Sequence, residues 1–217
     1  MVWPRGGVLP AGPRGCGPLC GGGWFVSVQG ITSASLFQRV LGSTFVQLAP
    51  AVQRGHQPGL ALLLSGQASV RRGSSLLARA LCRLIGFPVA GDAVPVRVHM
   101  QVEGTGERWE RCFGTQRFES RLSSGHGAQQ GLLVERFGPL RIHIALAVVD
   151  GALHWTVRSG TLWTIPLPTR LLPSGDSREY ASNGRFHFDV EVAHPLAGRI
   201  VQYRGWLEPT DTVPTAP

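Results

Sequence analysis

Apolar and polar residues alternate along most of this chain. Over residues 94–102, Val94, Val96, Val98, Met100 and Val102 take every second position, against Pro95, Arg97, His99 and Gln101. Residues 140–148 set Leu140, Ile142, Ile144, Leu146 and Val148 against Arg141, His143, Ala145 and Ala147. Residues 185–192 set Phe186, Phe188, Val190 and Val192 against Arg185, His187, Asp189 and Glu191. Residues 60–70 place Leu60, Leu62, Leu64, Gly66, Ala68 and Val70 on one side. A period of two with one dry face predicts antiparallel strands; parallel strands would be apolar throughout, with helices between them.

Two segments follow the helical period instead. Residues 36–48 carry Leu36, Phe37, Val40, Leu41, Phe45 and Leu48, with Gly42 interrupting, and residues 50–56 extend them as a turn or short helix. Residues 74–85 form the second helix. Ser74 or Ser75 caps it, Leu77, Leu81, Leu84 and Ile85 form one face, Arg79 and Arg83 fall on the other, and Gly86 and Pro88 end it. The expected fold class is α+β, mostly β: a strongly curved antiparallel sheet or barrel-like sheet of about nine strands, with two helices in the N-terminal part. A sheet of that size must curl, split or close.

Turn chemistry sets the registers. Asp150-Gly151 and Asn183-Gly184 have the composition of type I′ hairpin turns. The first pairs Val148 with Leu153 and Leu146 with Trp155, all apolar. A turn at Thr105-Gly106 pairs Glu103 with Arg108 outside and Val102 with Trp109 inside. Gly114-Thr115 and Gly138-Pro139 supply further turns.

The same parity carries polar residues inward. With Trp109 go Arg111 and Phe113; across Gly114-Thr115 come Phe118 and Ser120. Glu135 faces Ile142, and Glu179 faces Phe188. One guanidinium and two carboxylates among aromatics must pair with each other, meet water or meet a ligand. A structural Arg–Glu pair is one account. A pocket with a few convergent polar groups is the other, and it makes Trp109, Arg111, Phe118, Ser120, Glu135, Trp155, Glu179 and Phe188 candidate ligand-binding residues. Arg71, Arg72, Gly73, Ser74 and Ser75 stand where a strand gives way to a helix. They form a candidate anion site, or an ordinary serine cap beside solvated arginines.

Charge adds one fact. All 21 basic residues are Arg, and the first acid is Asp92; residues 1–91 hold eight Arg and no acid, while the remainder balances. The sequence carries no nucleic-acid-binding signature, so nucleic acid is not the expected partner. It has no run of ~18 apolar residues that would cross a membrane as a helix. Cys16, Cys20, Cys82 and Cys112 lack metal-ligand spacing and fit a reducing, cytoplasmic setting. No catalytic motif, metal set or cofactor fingerprint is recognisable. His187 and Asp189 share a strand face, and two ligands without a third read as a solvated surface. Residues 1–34, rich in Gly and Pro, and the tail 208–217 are expected to be disordered, with a single β-rich domain over 35–207.

The order of motifs resembles a known family. It runs Leu36-Phe37-x-x-Val40-Leu41-Gly42, Phe45-x-x-Leu48, His56, Val70-x-Arg72-Gly73, Gly86-Phe87-Pro88 and Val94-Pro95-Val96. It continues with Glu107-Arg108-Trp109-x-Arg111-x-Phe113-Gly114, Phe118-x-Ser120 and Glu135-Arg136-Phe137-Gly138-Pro139. Gly184-Arg185-Phe186-x-Phe188-Asp189-Val190, Pro195-Leu196-x-Gly198 and Tyr203-x-Gly205-Trp206-Leu207 close it. This resembles the bacterial family catalogued as domain of unknown function 4166. The resemblance implies a lone domain or an accessory module beside an NADP-binding, saccharopine-dehydrogenase-like domain or a DoxX-like membrane protein; it implies no activity and no catalytic residue. Two functions then compete. One is a non-catalytic binding module for a small apolar or amphiphilic ligand, which needs an interior cavity of at least ~300 Å³. The other is a module that meets a partner protein or an anionic surface through the basic N-terminal third, centred on Arg71, Arg72, Arg79 and Arg83. An enzyme would need Glu135 or Glu179 raised in pKa beside a cleft.

Overall fold

Hairpin turns and alternating strands build a closed ring. The computed structural model describes residues 34–57 and 59–210. Its strands are β1 (Ala61–Arg72), β2 (Gly91–Glu103), β3 (Gly106–Phe113), β4 (Gln116–Ser124), β5 (Leu133–Phe137), β6 (Leu140–Val149), β7 (Ala152–Leu162), β8 (Ile165–Pro166), β9 (Ser177–Ser182), β10 (Arg185–His194) and β11 (Gly198–Pro209). Neighbours in sequence pair antiparallel. β7 skips the two-residue β8 to reach β9, and β1 pairs with β11, so ten strands close a barrel with β8 appended. Closure removes both sheet edges.

Four of the five proposed turns hold. Val148 pairs with Leu153, Leu146 with Trp155, Phe188 with Glu179, Arg111 with Phe118, and Phe137 with Leu140. Asp150 and Asn183 adopt the positive φ that a type I′ turn demands. The fifth register shifts. The turn centres on Gly104-Thr105, because Gly104 takes φ +60° without steric cost. Met100 therefore pairs with Trp109 and Val102 with Glu107, while Arg108 reaches Glu103 diagonally at 3.1 Å. The shift is by two residues, so inner and outer faces are preserved.

The helices close the ends. The expected helix over 36–48 breaks at Gly42 (φ +57°) into α1 (Leu36–Leu41) and a 3₁₀ turn over Gly42–Gln47; α2 (Pro50–Gly55) follows. Among the described residues there are thus three α-helices, the short one over 50–55 included, and ten barrel strands where about nine were expected. Ser35 and Gln38 form a capping box on α1. This N-terminal unit plugs one barrel end, where Ala49 N–H donates to Gly151 O at 2.9 Å and Phe37, Leu36 and Val52 are fully buried. α3 (Leu76–Ile85) lies at the opposite end against β11, capped by Ser75 and ended by Gly86 in the left-handed region. The last strand runs two residues beyond the expected boundary: Glu208 and Pro209, assigned above to a disordered tail, pair with Ser65 and Leu64. The rest of that tail past Thr210, and residues 1–33, lie outside the described residues.

Candidate functional site

Strand parity puts the ring's apolar side chains inside, yet they do not fill it. A cavity of about 390 Å³ occupies the half of the barrel away from the plug. Val98, Phe118, Ile144, Val157, Phe188 and Val190 are among its walls. Leu77, Leu81 and Ile85 of α3 roof it on one side, and the connection from β8 to β9 (Leu171, Pro173, Gly175) on the other. Leu77 and Leu171 are 42% and 38% exposed, so the cavity reaches solvent between these two elements.

Its floor is polar. Arg111 of β3 donates from Nη1 to Ser120 Oγ (2.7 Å) and from Nη2 to Glu135 Oε1 (3.2 Å), while Ser120 Oγ donates to that same carboxylate oxygen at 2.7 Å. The guanidinium carbon lies 4.7 Å from the centre of the Trp109 ring and 5.5 Å from that of Phe118. Glu179 of β9 accepts from His56 Nε2 at 2.6 Å, and both groups are buried. His56, fully buried, sits 3.9 Å from Phe37, centroid to centroid, and stacks on Trp109 at 5.9 Å. Tyr203 completes the floor. Burial pushes its phenol up to about 12; Glu135 and Glu179 add to the rise and Arg111 opposes it. It is therefore a neutral hydroxyl at any physiological pH. The Trp155 indole N–H is buried on the cavity wall with no partner among the described residues.

Seven of the eight ligand-binding candidates line this cavity: Trp109, Arg111, Phe118, Glu135, Trp155, Glu179 and Phe188. Ser120 lies behind, holding Arg111 to Glu135. The inward charges are paired, as their burial requires. Sequence reasoning left out Tyr203, which lines the cavity, and His56, which lies behind Glu179 and holds it. His56 is on no strand, so parity could not place it. Tyr203 shares an inner face with Val201 and Leu207, and the alternation along β11 was a signal that could have found it.

The candidate anion site comes apart. Arg72 donates from Nε to Pro88 O at 2.6 Å and from Nη2 to Phe87 O. Gly73 N–H donates to Ile200 O, and Ser75 Oγ caps Ala78 N–H and donates to Ala197 O at 2.7 Å. The groups expected to cradle an anion instead lock α3 to the barrel; Arg71 and Ser74 are exposed. His143, placed on the outer face, is nevertheless buried and meets Ser159 Oγ at 2.8 Å through Nδ1. No cluster of metal-binding side chains occurs among the described residues. Burial raises the Glu107 carboxyl of β3, at the plugged end. Trp109 Nε1–H, the nearby His56 charge and the Leu36 backbone N–H each pull it partly back.

These features define a closed antiparallel β-barrel with one plugged end and a polar-floored cavity at the other. The chain belongs to the family described as Domain of unknown function (DUF4166), whose family model matches residues 48–207. No curated protein matches it. Among solved structures it is similar to a secretary abundant heat soluble (SAHS) protein from Ramazzottius varieornatus, at 8% identity and a TM-score of 0.36. That likeness covers 68% of this chain and 93% of the other, and is too slight to bear on function.

Proposed function

We propose that this domain binds one small apolar or amphiphilic molecule inside the barrel, without chemistry. The observation that carries the reading is the cavity itself: about 390 Å³, walled mostly by aliphatic and aromatic side chains, with Arg111, Glu135 and Glu179 gathered on its floor. That volume is within the range of small-molecule sites. The occupant's apolar part lies against Val98, Ile144, Val157 and Val190. Its polar end meets the unpartnered Trp155 indole N–H, the Tyr203 hydroxyl and the Arg111–Glu135 pair. A small polar group that both donates and accepts suits this floor, since a bare charge would have to displace an existing ion pair.

The test is direct. Native mass spectrometry of the purified full chain is expected to show a one-to-one adduct that organic extraction removes. The extracted protein is then expected to bind N-phenyl-1-naphthylamine, a neutral apolar fluorophore, at one site. Val157→Trp, which fills the cavity, is expected to lower that affinity at least ~10-fold, in line with the few kcal/mol that overpacking imposes. A bare polypeptide mass together with no saturable probe binding would overturn the reading.

A further inference from the structure

The two ends of the barrel differ in what they show to solvent. At the end that holds the cavity's mouth, Leu76 and Leu84 of α3, Trp163 and Ile165 beyond β7, and Leu196 in the turn between β10 and β11 are 66–82% exposed. Single exposed apolar residues are ordinary on any protein; here they come from three segments gathered at one end. The plugged end carries Val46 and Leu60.

The charge at this end is uneven. Arg79 and Arg83 follow Leu76 by three and seven residues, so they share its outward face on α3. Arg79, Arg83 and Arg170, the last in the connection from β8 to β9, make no ion pair among the described residues. No acid precedes Asp92 in the chain. Of the acids near the mouth, Glu191 is held by Arg199 at 3.3 Å, Asp92 accepts from Ser69 Oγ at 2.8 Å, and Asp176 stands exposed. Exposed leucines beside unpaired arginines on one helix, with a tryptophan in a turn at the same barrel end, match the surface of an anionic bilayer. The apolar tips enter the headgroup–acyl boundary while the guanidinium groups meet lipid phosphates.

We infer that the mouth end of the barrel docks onto anionic lipid bilayers, with α3 lying in the headgroup plane. Docking so oriented turns the cavity's opening toward the acyl chains. Exchange of an occupant with the bilayer rests on the ligand reading above; docking itself does not need it.

Co-sedimentation of the full chain with phosphatidylcholine vesicles, with and without phosphatidylglycerol, tests the inference. Binding is expected to the mixed vesicles, to weaken as salt rises, and to be slight on phosphatidylcholine alone. The double variant R79Q/R83Q is expected to lower partitioning roughly 30-fold, the combined effect of two basic residues near an anionic surface. L76S/L84S is expected to lower it at least ~10-fold by removing the inserting side chains. All four positions are exposed, and a urea unfolding midpoint unchanged from the wild type verifies that each variant is folded. Three outcomes overturn the inference. One is no sedimentation with the mixed vesicles. Another is sedimentation unchanged in both double variants, which would place lipid binding elsewhere, such as near Arg5 and Arg14. The third is a stable dimer that L76S/L84S disperses, which would make a second copy the occupant of this face. None of these outcomes touches probe binding, so the ligand reading stands or falls separately.

Discussion

Glu107 shows what a buried group asks of its neighbours. Its side chain lies inside the barrel at the plugged end, with Oε2 accepting from Trp109 Nε1 at 2.8 Å and Oε1 unpartnered among the described residues. Burial holds its folded pKa above the ordinary 4.5, despite the donors and the His56 charge that oppose the shift. A carboxyl raised on folding holds its proton more tightly in the native state. Its contribution to stability is complete below the unfolded value near 4.5 and is lost as pH climbs through the higher folded value. Glu107→Gln keeps an acceptor for Trp109 and cannot ionise. Measured by urea unfolding from acid to neutral pH, the wild type is expected to lose stability relative to Glu107→Gln above about pH 4.5, with the two differing least in acid. A difference that stays constant with pH would show that Glu107 is not the group responsible. At the neighbouring pair, His56→Ala leaves the Glu179 carboxylate buried without its partner, and a loss of roughly 3–5 kcal/mol is expected in the same assay.

At the scale of elements, α3 depends on its junctions more than on its own propensity. Gly73 has no room for a side chain, since an added Cβ would sit 1.7 Å from Arg199 O. Cys82 Sγ reaches Ile200 O at 3.3 Å, and Arg72 holds the carbonyls of Phe87 and Pro88 beyond the helix. Gly73→Ala is therefore expected to cost more than ~2 kcal/mol, and Ser75→Ala, which removes the cap and the bond to Ala197 O, about 1–2 kcal/mol. Hydrogen exchange is expected to locate the loss in α3 and leave β3 to β6 protected; uniform loss across the barrel would contradict this placement. These junctions also mark what could and could not be seen in the sequence. Alternation and turn residues revealed the strands, the inward set and most registers, because each depends on residues a few positions apart. Even where the β2–β3 turn was misplaced, the slip of two left Arg111 facing inward. Pairing of β1 with β11 and the seating of His56 against Glu179 join residues more than a hundred positions apart, and local periodicity carries no record of them. The arginine and serine run over residues 71–75 misled for a related reason. Donors that suit an anion suit carbonyl oxygens equally, and only the fold shows which acceptors arrive.

The whole molecule explains why there is space to occupy. Eight strands make a barrel that side chains can just fill, and the diameter grows with strand number. Ten strands enclose more, and the plug fills only part of the difference: Phe37 and His56 enter one end, stack on Trp109 and pack at a tilt against Trp155. What remains is the cavity, whose apolar lining gives up dispersion contacts until something supplies them. An occupant therefore acts on stability as well as being held by it. A ligand that binds the native state alone, at a hundred times its Kd, adds about 2.7 kcal/mol. Extracted protein is accordingly expected to unfold at a higher urea concentration when N-phenyl-1-naphthylamine is present at saturation. Val157→Trp, with the space already filled, is expected to unfold at the same concentration with or without the probe. If both proteins respond alike, the probe is on the outer surface. If neither responds while fluorescence still saturates, it binds native and unfolded chains equally, and the cavity is not its site.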